Sequence, residues 1–305
     1  MGNENVIERI EAVCPRERVL RNEPMSAHTS FRIGGPADAL VLVDNEEELS
    51  AVLGIVKDAE HLILGNGSNF LVADEGYPGI MVKLGEGFSY AEKYGETSVR
   101  AGGAATLSSV SSCAMRNGLA GFEFASGIPG SVGGAMFMNA GAYGGEMKDI
   151  VRSVRLMSPD GAEVITRTAD EMEFAYRNSA LQSDGYIATE AVFDLEASDE
   201  ESVRARVMEL QEKRNSKQPV NFPSAGSTFK RPAGGYAAAL IDEAGLRGFA
   251  VGGAQVSEKH TGFVVNKGGA TCDDVLSVMR HVRDTVYEKS GIMLEPEVRL
   301  INCGL

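Results

Sequence analysis

Two glycine-rich stretches and a few isolated polar clusters are where this chain could do chemistry. Leu64-Gly65-Asn66-Gly67-Ser68-Asn69-Phe70 follows a short apolar run. Its glycines let consecutive backbone N–H groups converge on an anion, and Ser68 and Asn69 add side-chain donors. The stretch begins like a dinucleotide fingerprint, but Phe70 stands where the third glycine belongs. The turn Asp74–Gly79 then leads into another strand at Ile80, which leaves no room for the helix of a Rossmann site. An anion-binding loop and a plain glycine turn are the two readings. Ser126-Gly127-Ile128-Pro129-Gly130-Ser131-Val132-Gly133-Gly134 lies in a segment, 121–145, with eight glycines. Glycine permits close approach to a flat ligand, and the two serines can hydrogen-bond. A run of bulges and tight turns in a small-residue sheet would have the same composition. Two such surfaces suggest one elongated ligand, with a diphosphate at one and a planar ring at the other. A flavin dinucleotide has that form.

The other clusters carry charge or hydroxyls. Ser227 lies in Pro223-Ser224-Ala225-Gly226-Ser227-Thr228-Phe229-Lys230-Arg231-Pro232. No G-x-S-x-G motif and no obvious histidine partner accompany it, so serine-hydrolase chemistry is not expected. A proton-donating hydroxyl and a simple loop hydrogen bond remain. Arg177, in Tyr176-Arg177-Asn178-Ser179, offers a planar fork to a carboxylate, or a surface ion pair. In Leu294–Ile301, read as a strand, Glu295, Glu297 and Arg299 share one face, and Leu294, Val298 and Leu300 the other. This is an exposed face unless Glu297 enters a cleft, where burial would raise its pKa toward an acid's role. Lys259 and His260 read as structural or surface residues.

The elements that must position these residues read as α+β. Residues 39–43 form a strand, and Asp44 or Asn45 caps a helix whose Leu49, Val52, Leu53 and Val56 make one apolar face. A strand at 61–64 completes a β-α-β start. Further strands are expected at 80–84, 97–101, 151–157, 162–166 and 186–195. Thr106 caps a helix to about Asn117, with Gly118 as its stop. Asp199 caps a helix at 200–214, with Val203, Val207 and Leu210 on one side. A helix at 236–244, short strands within 249–266, a helix at 274–289 capped by Asp273, and a strand at 294–301 follow. Two domains are expected: 1–198, itself two α+β subdomains split near 85–95, and 199–305.

The chain has 305 residues, a net charge of −14, 43% hydrophobic and 24% charged residues, which is ordinary globular composition. The acidity argues against a nucleic-acid binder and a polybasic membrane-surface protein. No apolar run approaches the length of a membrane span, and no secretory signal is evident. Four scattered cysteines and four histidines show no metal-ligand spacing, so no metal is expected, and reduced thiols in the cytoplasm are the simplest reading. Between Arg204 and Arg231 the balance reverses, with seven basic residues against two acidic ones. This local patch can attract phosphate against the acidic background.

Taken together, Thr29–Gly35, Gly65–Leu71, Ser126–Gly134, Tyr176–Ser179, Gly226–Pro232, Ala254–Gly262 and Leu294–Ile301 occur in an order that resembles the UDP-N-acetylenolpyruvoylglucosamine reductase (MurB) family across nearly the whole chain. The resemblance implies an FAD-binding domain of the vanillyl-alcohol-oxidase (PCMH) type in two subdomains, followed by a substrate-binding domain. It implies non-covalent FAD, NADPH as reductant, and UDP-N-acetylglucosamine enolpyruvate as the substrate reduced to UDP-N-acetylmuramate for peptidoglycan. By motif match Ser227 is the proton donor, Glu297 its acidic supporter or a second acid, and Arg177 the cation for the substrate carboxylate. Lys217 and Lys230 are substrate-side cations, Lys217 being expected at a nucleotide phosphate or NADPH. Gly65, Asn66, Gly67, Ser68 and Asn69, with Ser126, Gly127, Ile128, Pro129, Gly130, Ser131 and Gly133, would hold the cofactor. The fifty positions from Arg177 to Ser227 resemble the shorter subtype, which lacks a tyrosine-bearing loop, so Tyr186 is given no such role. A monomer or weak oligomer in the cytoplasm is expected. An oxidase on the same fold, or a flavin-free sugar-nucleotide binder, are the competing readings.

Overall fold

The computed structural model describes residues 3–305. They form two compact units: 3–21, 39–66 and 79–214 in the first, and 22–38, 67–78 and 215–305 in the second. The expected division at 198/199 runs differently from these units. Residues 200–214 of the helix Glu200–Lys217 group with the first unit, and two early segments group with the second. The early segments do so because Phe31, Ile33 and Leu71 are buried in the same core as the long helix Cys272–Ser290.

The first unit holds two apolar cores. One lies between the helices Asn3–Ile10 and Glu46–Val56 and a sheet ordered Val19–Pro24, Pro36–Val43, Tyr77–Leu84, His61–Leu64. His61–Leu64 and Tyr77–Leu84 run parallel, with Leu64 opposite Lys83. The helix forms as its sequence dictates. Asn45 accepts the Glu48 N–H (2.9 Å), three glutamates sit at the positive end, and Leu49, Val52, Leu53 and Val56 are buried. The other core is covered by an antiparallel sheet ordered Val164–Thr168, Val151–Met157, Ile187–Asp194, Ser98–Gly102, Ala91–Tyr94. Thr106 caps the helix Leu107–Arg116 as expected, accepting the Ser109 N–H at 3.1 Å.

The second unit packs the helices Ala237–Glu243 and Cys272–Ser290 with a three-stranded antiparallel sheet, Ala250–Val251, Ala254–Val256 and Val264–Asn266. Val275, Leu276, Val278, Met279, Val282 and Val286 form the buried stripe of the long helix. Its cap is Thr271, not Asp273. Thr271 and Asp274 make a reciprocal capping box, and one carboxylate, Asp74, accepts the N–H groups of Cys272 (2.8 Å) and Asp273 (3.2 Å). The strand expected over 294–301 is also shorter. Only Arg299–Ile301 forms a strand, in parallel with Phe70–Val72, whereas 295–297 meets 228–230 through an isolated antiparallel bridge between Phe229 and Pro296. Among the described residues no helix is long and apolar enough to cross a membrane.

Within the first unit Arg18 donates to both oxygens of Glu48 (2.9 and 2.7 Å) and meets Asp44 at 2.6 Å. The Arg18 guanidinium, ahead of the opposing effect of burial, holds the Glu48 carboxyl below the usual range. Folded protein therefore binds this proton less readily than unfolded chain. The stabilisation is complete above the unfolded value of about 4.3 and is lost as pH falls through the lower folded value. Urea unfolding should thus show a midpoint that falls on acidification below roughly pH 4.3, and Glu48→Gln should flatten that fall.

Candidate functional site

In the first unit the chain after His61–Leu64 turns at Gly65 directly against the second glycine cluster. A Cβ on Gly65 would lie 2.9 Å from Ser131 Oγ. The two glycine segments flagged by the sequence therefore touch.

The second cluster is not a run of sheet bulges. Ser131 adopts extended backbone, accepts the Gly134 N–H (3.4 Å) and starts a helix, Val132–Met138. The glycines are there for close packing. Gly133 donates to Gly103 O (2.8 Å), Val132 to Ala105 O (2.9 Å), and Leu107 to Gly130 O (3.1 Å). A Cβ on Gly133 would stand 3.2 Å from the carbonyl oxygens of Ala188 and Gly103. The amide of Gly133 is thus committed to the protein. Among the described residues the amides of Gly127, Gly130 and Ser131 donate to no backbone carbonyl; Gly127 and Gly130 are half-buried and Ser131 is buried.

The same helix carries Arg177 at its other end. Ala175 and Asn178 exchange backbone hydrogen bonds (3.0 and 3.1 Å), so Tyr176 and Arg177 form a two-residue turn. Arg177 sits in the left-handed region (φ +53°), a conformation that non-glycine residues adopt only when the surroundings impose it. Those surroundings are explicit. Ser179 Oγ and Gln182 Nε2 both donate to Phe137 O (3.0 and 2.9 Å), and Gln182 Nε2 also donates to Arg177 O (3.0 Å). Buried Asn139 donates to Ala175 O and accepts from Lys148 N, each at 3.0 Å. The half-buried Arg177 guanidinium lies 5.2 Å from the Tyr176 ring and acts on Glu146, whose carboxyl is held low chiefly by Lys148.

Arg214 lies against the second glycine cluster, a placement that the sequence reading passed over. Its Cδ would be 2.9 Å from a Cβ on Gly127, so only glycine lets this side chain lie across the loop. Burial lowers its guanidinium pKa. The signal was present: Val203, Val207, Leu210 and Arg214 follow one helical stripe, on which Arg214 is half-buried while Lys217, the next cation, is exposed.

In the second unit the segment that follows Ser227 is joined to the segment of Glu297 through backbone. Glu297 N donates to Thr228 O (2.9 Å), Lys230 N donates to Glu295 O (2.8 Å), and Phe229 bridges Pro296. Thr228 is buried and anchored. Its N–H donates to Gly262 O (2.9 Å), and its Oγ1 accepts from Val264 N (2.9 Å). Ser227, half-buried, follows Gly226 in the left-handed region (φ +78°). Asn69 completes the frame. Its Nδ2 donates to Glu297 O (3.1 Å) and its carbonyl accepts from Arg299 N (2.9 Å). Its side chain thus fixes the glutamate's backbone, a role the motif alone did not indicate. Glu297 itself is half-buried. Gly67 has φ +59°, and a Cβ there would strike His28 O at 2.0 Å. Lys217 and Lys230 are exposed, and Lys230 Nζ is 3.4 Å from Glu295 Oε2. A cleft of about 390 Å³ lies between Phe222, Ser257, Lys259 and Lys267, and none of the expected site residues lines it.

This organisation has relatives. Residues 37–167 match the family described as FAD binding domain. Residues 218–301 match UDP-N-acetylenolpyruvoylglucosamine reductase, C-terminal domain. The chain is 46% identical over 303 residues to the UDP-N-acetylenolpyruvoylglucosamine reductase of Clostridioides difficile, with 99% of each chain covered.

The chain belongs to the UDP-N-acetylenolpyruvoylglucosamine reductase family.

A second member, from Lachnoclostridium phytofermentans, is 45% identical with 98% of each chain covered. The crystal structure of the reductase from Thermus caldophilus superposes with a TM-score of 0.81 at 37% identity, over 93% of this chain and 99% of that one. The expected α+β class and FAD-binding domain are both found. The residues also fit the cofactor on physical grounds. Amides of Gly127, Gly130 and Ser131 that meet no backbone carbonyl, serine hydroxyls and the Arg214 guanidinium make a donor set suited to a diphosphate.

Gly67→Ala tests the loop. The clash with His28 O and the positive φ together should destabilise the protein by about 2 kcal/mol or more. The purified variant should carry clearly less flavin by visible absorbance than wild type.

Proposed function

We propose that the protein reduces the enolpyruvyl ether of UDP-N-acetylglucosamine enolpyruvate to UDP-N-acetylmuramate with electrons from NADPH, in the synthesis of the peptidoglycan precursor. The observation that supports this reading is the backbone ladder joining Thr228 to Glu297, because it ties the residue after Ser227 to the candidate acid. FAD, held without a covalent bond, supplies the hydride chemistry between NADPH and the substrate.

The chain's own residues do the rest. The diphosphate of the cofactor rests on Gly65–Asn69, Ser126–Ser131 and Arg214. Arg177 receives the substrate carboxylate, and its guanidinium stabilises the negative charge that spreads onto that carboxylate as the adjacent carbon becomes an enolate. The imposed turn conformation keeps the fork in place before the charge develops, so little reorganisation is needed. Ser227 Oγ gives its proton to that carbon, and so fixes the face from which the new C–H bond forms. Glu297 supports the hydroxyl as its proton leaves. Lys217 and Lys230 attract the phosphates of the sugar nucleotide or of NADPH, a local cationic field in an acidic protein. Residues 1–198, with Arg214, chiefly serve the cofactor, and 199–305, with Arg177, the substrate. The site of action is the cytoplasm, and the protein acts as a monomer or weak oligomer.

Separating the two half-reactions is decisive. In anaerobic stopped flow, Ser227→Ala should keep flavin reduction by NADPH, while reoxidation by the enolpyruvyl sugar nucleotide slows about 10²–10⁴-fold. Equal loss in both halves would assign Ser227 a structural role. Arg177→Lys should slow reoxidation as well, because an ammonium cannot reproduce the bidentate fork. A wild-type flavoprotein that the sugar nucleotide does not reoxidise would end the proposal.

A further inference from the structure

We propose that Cys272 and Cys303 are a site of reversible oxidation, closing to a disulfide when a low-molecular-weight disulfide reaches them. This is independent of the catalytic reading.

All four cysteines are free thiols in the structure. Two of them are neighbours. Cys272 opens the long helix, and its N–H is tied to Asp74 Oδ1 at 2.8 Å. Cys303 follows the strand Arg299–Ile301, and its Sγ donates to Leu71 O at 3.7 Å. The short segment 71–74 thus anchors both residues, and it is itself bound to that strand by Val72 opposite Ile301 and by Ala73 N to Ile301 O (3.0 Å). Cys272 is buried in one apolar core and Cys303 packs against that same core, so the two thiols share one environment and each acts on the other.

The pair is asymmetric in the way that exchange chemistry requires. Cys303 is half-exposed, whereas Cys272 is 1% exposed. The neighbouring S–H lowers the Cys303 thiol pKa, while the same contact and burial raise that of Cys272. Asp74 and Asp273 oppose ionisation of both. Cys303 is therefore the attacking sulfur and Cys272 the resolving one. The Cys303 thiolate attacks one sulfur of the small disulfide and expels the first small thiol. Cys272 then loses its proton and attacks Cys303 Sγ, expelling the second. Two protein thiols are oxidised and one small disulfide is reduced to two thiols. Cys14 and Cys113 are internal controls. Both are buried, each lies in a different core, and burial raises both thiol pKa values.

Incubation of the full-length protein with oxidised glutathione, alkylation, and non-reducing peptide mapping test this. The expected product joins the peptides of Cys272 and Cys303, is reversed by dithiothreitol, and leaves Cys14 and Cys113 alkylated only after denaturation. In Cys272→Ser the intermediate should accumulate as a stable glutathione adduct on Cys303. In Cys303→Ser the buried Cys272 should stay unmodified. Wild-type protein that keeps the adduct on Cys303 without forming the linked peptide, or that leaves both thiols untouched, overturns the proposal.

Discussion

Backbone packed on backbone is the constraint on which the first unit depends. The helix Val132–Met138 and the segment 103–105 are drawn onto the strand Ile187–Asp194 so closely that side chains do not fit. A Cβ on Gly103 would be 2.3 Å from Ala188 O, and one on Gly133 3.2 Å from it. The approach is held by hydrogen bonds from Gly133 to Gly103 and from Gly103 to Thr189 (2.8 and 2.7 Å). Once the helix is seated, its first turn presents Ser131 to Gly65, and its last residues present carbonyls and Asn139 to the Arg177 turn. One seven-residue helix thus meets a glycine loop at one end and the Arg177 turn at the other.

The second unit solves a different problem with the same economy. The role proposed for Ser227 requires a fixed position and an available hydroxyl. The chain commits its neighbour instead. Thr228 is buried with its amide, hydroxyl and carbonyl all bonded, the carbonyl to Glu297. A hydroxyl beside so constrained a residue has little conformational freedom to lose on binding. Asn69 bonds to the carbonyl of the same glutamate, so a residue of the glycine loop also braces the acid's backbone.

The legible features were those governed by local rules. Asn45, Thr106 and the buried stripes of the helices follow from capping and periodicity, as does the absence of a helix after Gly67. The unread features arise from contacts remote in sequence. A run such as Gly130–Gly134 has poor helix propensity, and its helix exists because distant carbonyls accept its amides. Leu294–Ile301 alternates like a strand, but it divides between two partners far away in sequence, an isolated bridge from Pro296 to Phe229 and the parallel pairing of Arg299–Ile301 with Phe70–Val72. Arg214 counted as one charge in a basic window until Gly127 was seen beneath it.

By itself the sequence determined the α+β class, the order of the motifs and the identity of the chemical groups, because residue type and local spacing carry that information. Only the tertiary structure decided which backbone each group leans on. It seated Arg177 in a left-handed turn on Phe137 and Asn139, and tied Ser227's neighbour to Glu297. It also set Cys272 against Cys303. The reason is physical: such positions are fixed by hydrogen bonds and close packing between residues far apart in the chain, and no local pattern records the partner.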